Sequence, residues 1–201
     1  ADEAALLAIV NSNGLVHALV FTDPNYKIAT IKSDAMVAAI ELCETCKVFE
    51  LKALPLDKIA EQMPAVLDQL WEKHGDEITH ILAINDLYID YAIPSLESIL
   101  EEYKPIPQKI SAGDGSKAAY KRIDSDFFQL ATVPEPLYLQ GWQIIDELNR
   151  AFHNMPPSGY SAPVHLVTPD NVAELISQKD TGIYDPQNGY REAYLSIWKP
   201  Q

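Results

Sequence analysis

The chain has 201 residues, enough for one to one and a half ordinary domains. Apolar residues make up 47% and charged residues 22%, which suffices for a packed core and excludes a disordered acidic tail. With 15 Lys and Arg against 29 Asp and Glu, the formal charge is −14, which repels phosphate backbones and argues against DNA, RNA or anionic lipid as partner. No apolar run approaches the ~18–20 residues a membrane span needs; the longest are of strand length.

Along the chain, short apolar runs alternate with turns and helix-period segments. Residues 15–21 (LVHALVF) read as a buried strand that stops at the turn cluster Thr22-Asp23-Pro24-Asn25. From 26 to 42, Ile28, Ile31, Met36, Val37 and Ile40 recur at three- and four-residue steps and predict a helix. Residues 48–51 form the second expected strand. Residues 56–74 form a helix ended by Gly75, with Pro64 starting its second half or kinking it. A third strand (79–84) leads into a helix over 86–102 that contains Pro94. A fourth strand (109–112), a short helix capped by Ser116 and a fifth strand (128–133) follow. This alternation predicts parallel pairing with right-handed crossovers, hence a doubly wound α/β lobe over about residues 1–133. Ligands in such sheets sit beyond the carboxyl ends of the strands, which singles out Thr22/Asp23, Asn85/Asp86, Asp114 and Glu135.

After Glu135 the pattern changes. Residues 137–152 (LYLQGWQIIDELNRAF) form a marked amphipathic helix, then come a proline-rich turn, a strand at 164–167 and a helix at 171–177. The tail over 180–201 carries Tyr184, Tyr190, Tyr194 and Trp198, too aromatic for a disordered terminus and expected to pack on the body. Leaving the apolar face of the 137–152 helix wet would forgo about 1.5–3 kcal/mol per large side chain. That face is therefore expected to be covered by the tail or by a second copy of the chain.

Marks of catalysis are lacking: no G-x-S-x-G elbow, Walker loop or G-x-G-x-x-G follows any of the expected strands. Asp114 and Glu135 as a carboxylate pair for glycoside cleavage is the weaker reading of those acids. No cofactor or metal motif is present in the sequence. Cys43 and Cys46 are a lone C-x-x-C without the second pair or H-x3-H that structural zinc needs. A redox C-x-x-C opens a helix, where the positive helix end lowers the thiol pKa, whereas this one closes a helix.

Several motifs in order resemble a known family. They are residues 82–93 (LAINDLYIDYAI), with an Asn-Asp pair directly after a strand, then 111–116 (SAGDGS), 131–137 (ATVPEPL), an apolar helix and a closing PVHLVT. This succession resembles the carboxyl-terminal lobe of type I periplasmic sugar-binding proteins of ABC importers, the ribose- and galactose-binding cluster, whose fold the effector domains of the lac-repressor family share.

The resemblance covers most of residues 14–168 and implies a small neutral sugar as ligand, a membrane permease as partner and a periplasmic location. It implies that residues 1–133 form the carboxyl-terminal lobe. Residues 134–168 would be hinge and return segment belonging with a first lobe, and 169–201 an aromatic tail. The chain is expected to be a fragment that lacks that first lobe, and the 137–152 helix offers a route to self-association. Asn85 and Asp114 fall on positions that contact sugar, and Glu135 falls where the family often has Gln at the hinge. The family's Arg from the helix after the first strand is missing in 26–33 (YKIATIKS), which leaves Lys27 or Tyr26 as substitutes. In a periplasmic setting Cys43 and Cys46 would form a local disulfide. A sugar-sensing domain of a receptor or transcriptional regulator is the alternative function.

Plainer roles exist for the same residues. Asn85 and Asp86 both suit helix capping, and Asp114-Gly115 is a good turn on its own.

Overall fold

The computed structural model describes residues 1–102, 106–177 and 183–199, with backbone alone over 99–102. In chain order the elements are α1 (Asp2–Asn11), β1 (His17–Thr22), α2 (Lys27–Glu41), β2 (Lys47–Ala53), α3 (Ile59–His74), β3 (His80–Ala83) and α4 (Asp86–Glu102). They continue with β4 (Gln108–Ser111), α5 (Lys117–Asp124), β5 (Ala131–Thr132), α6 (Leu137–Phe152), α7 (Val172–Ser177) and α8 (Tyr190–Trp198). The five strands form one parallel sheet in the order β2-β1-β3-β4-β5. The expected α/β class and parallel pairing are therefore what the chain adopts. None of the described helices is long and apolar enough to cross a membrane.

The helices pack in pairs, α1 against α2 and α3 against α4, the arrangement on the two faces that right-handed crossovers of a parallel sheet require. The central strands carry the core. Leu19, Val20 and Phe21 of β1, Ile81 and Leu82 of β3 and Ile110 of β4 are fully or almost fully buried. A parallel strand covered on both faces reads as a continuous apolar run rather than an alternating one. Edge strand β2 is half-exposed, and the register skips a residue between Ala18 and Leu19, opposite Phe49. Pro64 and Pro94 lie inside α3 and α4 without ending them. Both occupy exposed positions, where water can meet the carbonyl each leaves unbonded.

Two expected strands are shorter than their apolar runs. The fifth, expected over 128–133, begins at Ala131 because Asp126 and Phe128 take positive φ (52° and 56°) and turn the chain. The strand expected at 164–167 is reduced to a single antiparallel bridge from Val167 to Thr132. Cys43 and Cys46, just past α2, are joined by a disulfide with Cα atoms 5.3 Å apart.

Beyond β5, α6 is partly covered by α8. Trp198 stacks on Trp142 at 5.4 Å with planes 7° apart, Tyr194 stacks on both, and the Trp198 indole N–H donates to Asp146 Oδ1 at 2.9 Å. Ile144, Ile145, Leu148 and Phe152 of the same helix remain exposed, Phe152 by 80%.

Candidate functional site

The carboxyl edge of the sheet is where the loops diverge, since β1 connects outward to β2 on one side and the later strands extend on the other. The loop after β1 is held by Asp23, whose buried carboxylate accepts the backbone N–H groups of Asn25 and Leu56, both at 2.8 Å. Asp23 thus ties the loops after β1 and β2 together, and its oxygens are committed to that task.

After β3 come two adjacent residues with different surroundings. Asp86 is buried and accepts from the Ser111 hydroxyl, from Gln129 Nε2 at 2.9 Å and from the Ser116 backbone N–H at 2.8 Å. Asn85 is half-buried, and its Oδ1 is shielded from solvent with no hydrogen-bond partner among the described residues. A shielded amide acceptor left without a donor is uncommon in folded proteins, because it forgoes hydration and gains nothing in return.

The loop after β4 is Gly113-Asp114-Gly115, with φ of 148°, 65° and 69°. A Cβ on Gly113 would fall 2.6 Å from the Ile84 carbonyl and 2.7 Å from Lys32 Nζ. One on Gly115 would fall 2.3 Å from Pro134 Cβ and 2.6 Å from the Tyr120 hydroxyl. Glycine is therefore required on both sides of Asp114, and aspartate tolerates the left-handed conformation between them. The loop is pressed between the ends of β3 and β5 with Asp114 projecting at its tip.

After β5, Glu135 forms an ion pair with Lys32 of α2. Lys32 Nζ therefore lies beside both Gly113 and Glu135, and Asn85 Cβ is 3.7 Å from where a Gly113 Cβ would be. The Asp114 carboxyl is pushed up to about 6, first by its partial burial and then by the negative charge of Asp86. Lys32 opposes the rise, while Glu135 and Asp90 add to it. Asp114 as a whole residue nonetheless stays exposed. Asn85, Asp114 and Glu135 thus converge on one place, and Lys32 joins them.

Tyr26 and Lys27, the other two residues expected to bind, open α2 and are exposed. Neither side chain hydrogen-bonds to the cluster among the described residues. Lys27 and Lys32 are five residues apart, about 140° around a helix, so only one of them faces the cluster. A sequence signal for Lys32 existed: it lies three residues after Ala29 and four before Met36, both buried, so it interrupts the stripe that α2 turns toward the sheet. A lysine in such a stripe needs an anionic partner, and Glu135 supplies it.

The cluster offers one amide, two carboxylates and one ammonium, a set able to donate to and accept from adjacent hydroxyls. Among the described residues no group of three or more His, Cys, Asp or Glu is arranged to hold a metal ion.

No family model matches the chain, and no curated protein matches it. Solved structures do. A galactofuranose binding protein superposes with a TM-score of 0.72 at 20% identity, covering 89% of this chain and 60% of its own. An arabinose binding protein from Geobacillus stearothermophilus gives 0.69 at 17% identity, over 86% of this chain and 61% of its own. A solute binding protein of an ABC transporter from Bacillus halodurans, solved with bound myo-inositol, gives 0.68 at 20% identity, over 87% and 58%. The chain spans about 60% of the length of these structures, and at such identities the likeness is one of fold. The chain is thus similar in fold to the sugar-binding proteins of ABC transporters, the group its motifs resemble.

Proposed function

We propose that this chain is one lobe of the substrate-binding component of an ABC importer, and that the carboxyl edge of its sheet is half of a clamp for a small neutral sugar. The observation that supports this most is the convergence of Asn85, Asp114, Glu135 and Lys32, with an Asn85 amide oxygen that has no donor among the described residues. In this reading the shielded Asn85 amide turns outward to meet a sugar hydroxyl, and the Asp114 carboxylate bridges neighbouring hydroxyls. Glu135 holds Lys32 and cancels its charge, so the site presents donors without attracting an anion. Lys32 takes the cationic role otherwise open to Lys27.

The other half of the hydrogen bonds belongs to a first lobe. Such a lobe is in keeping with the coverage of about 60% of the similar solved structures and with the exposed apolar face of α6, which we assign to the contact with it. Self-association through the same face is the expected behaviour when that lobe is missing. Delivery of the bound sugar would be to a membrane permease, and the Cys43–Cys46 disulfide suits an oxidising compartment such as the periplasm.

The test is an NMR titration of the chain with arabinose, myo-inositol and galactose. Binding on the order of millimolar or weaker is expected, because half the contacts and the closure that excludes water are missing. Shifts should concentrate at Asn85, Gly113, Asp114 and Glu135. Micromolar affinity would overturn the half-clamp reading, and shifts confined to other parts of the chain would overturn the site.

A further inference from the structure

At the opposite, amino edge of the sheet lies a cavity of about 410 Å³ between β4 and the turn that precedes β5. That size lies within the range of small-molecule sites. Pro107, Phe127, Phe128 and Leu130 give it mostly apolar walls, and Lys109 and Asp126 are its charged groups. Nothing in the sugar-binding reading uses it.

Lys109 is the unusual member. It is only 4% exposed, yet among the described residues no carboxylate lies within 4 Å of its ammonium and no side chain hydrogen-bonds to it. Its close companion is the face of Phe128, 4.8 Å from Nζ. A buried cation whose close contact among the described residues is a ring, with Asp126 acting beyond ion-pair distance, is short of a counter-charge. Burial draws the amine down to about 8, with Asp126 opposing the fall, so it remains mostly protonated at neutral pH.

The turn that builds this wall is strained. Asp126 and Phe128 both hold positive φ, a conformation that a bulky aromatic rarely adopts. Phe127 meets Phe128 edge to face at 4.6 Å, which fixes the pair as a rigid aromatic corner beside the lysine. Strain of this kind persists where surrounding structure enforces it, and it gathers at ligand sites.

We propose that this cavity binds a small monocarboxylate with an apolar or aromatic body. The carboxylate meets Lys109, and the body lies against Phe127, Phe128, Pro107 and Leu130. Asp126 sets the charge limit: a second negative group on the ligand would be repelled by it, which disfavours dicarboxylates and phosphates. The site stands at the far end of the sheet from Asn85 and Asp114 and does not depend on the sugar reading.

Benzoate is the probe, with benzamide as the neutral isostere and terephthalate as the dianion, followed by calorimetry and ligand-observed NMR. Benzoate should bind at least about tenfold more tightly than either control. Lys109→Met should weaken benzoate binding by more than about tenfold while near-ultraviolet circular dichroism stays native, since the change removes a buried unpaired charge. Asp126→Asn, which keeps a residue suited to positive φ, should strengthen benzoate binding and narrow the gap to terephthalate. Equal affinity for benzoate and benzamide, unchanged binding in a folded Lys109→Met or in Asp126→Asn, or no saturation in the millimolar range would each overturn the proposal.

Discussion

Two polar clusters meet at the carboxyl edge of the sheet, and the residues that head them, Asn85 and Asp86, are neighbours in the chain. Below the rim, Asp86 takes three donors, and Gln129 Nε2 lies 3.1 Å from Ser111 Oγ and 3.2 Å from the Ala131 carbonyl. Arg122 donates twice to Gln129 Oε1, at 3.0 and 2.8 Å, and forms an ion pair with Asp90. The Ser111 and Thr132 hydroxyls are 2.9 Å apart. This network joins α4, β4, α5 and β5 with its polar groups matched to one another. At the rim, among the described residues, Asn85 lacks a donor and Lys32 is held by Glu135 alone, while the Asp114 carboxyl is raised toward neutrality. Saturation separates the two: a matched network stabilises a fold, and an unmatched one beside it is where a ligand gains most.

The largest expected effect is on the matched cluster. Asp86→Ala would strip a buried acceptor from three donors and cost about 3 kcal/mol or more, read as a lower midpoint in urea unfolding. Asn85→Ala removes an acceptor that has no partner among the described residues, so its cost should stay within about 1 kcal/mol while the sugar-dependent NMR shifts disappear. If both substitutions destabilised equally, the distinction between scaffold and site would fail. Next in size is Gly115→Ala, which drives a Cβ into Pro134 and keeps a strained φ; about 2 kcal/mol is expected. Because that loop aims Asp114, the variant should also weaken sugar binding. Gly141→Ala, a helical position with open space around the new Cβ, is the control that should not.

A smaller effect concerns α6. Phe152→Ser removes the most exposed apolar ring of that helix and should lower self-association in sedimentation velocity with little change in unfolding midpoint. Trp142→Ala, by contrast, would break the stack with Tyr194 and Trp198 and should destabilise the α6–α8 pair.

Much of the fold was legible because the buried strands are short apolar runs and the helices keep their period. The losses were local. The run over 128–133 looks like a strand throughout, but nothing in its composition announces positive φ at Asp126 and Phe128. The 164–167 segment has strand chemistry but only one bridging partner at the edge of β5. The site was legible as positions, since topology names the residues past each strand. Which polar groups there are already spent was not legible, because that depends on partners 18 to 43 residues away, as with Gln129 on Ser111 and Asp86. Lys32 was missed for a related reason: its role depends on Glu135, 103 residues later.

The finest test of the contrast is the protonation of Asp114. Its carboxyl sits at about 6 in the fold against 3.8 for the free group, so the folded state favours the protonated form. Its contribution to stability is complete below about 3.8 and is lost as pH rises through about 6. Asp114→Asn keeps a residue suited to φ of 65° and cannot ionise. The two proteins should therefore match in urea unfolding at pH near 3.8 and diverge as pH rises toward 6, the variant being the more stable above it. Parallel stability curves would mean that the crowding of Asp114 by Asp86 and Glu135 has no energetic consequence. A sugar hydroxyl donating to Asp114 favours the ionised form, so binding near pH 6 should release protons in the wild type and none in the variant. Calorimetry in two buffers of different ionisation enthalpy reads that release directly, and an equal release from both proteins would remove Asp114 from the site while leaving the Asp86 network intact.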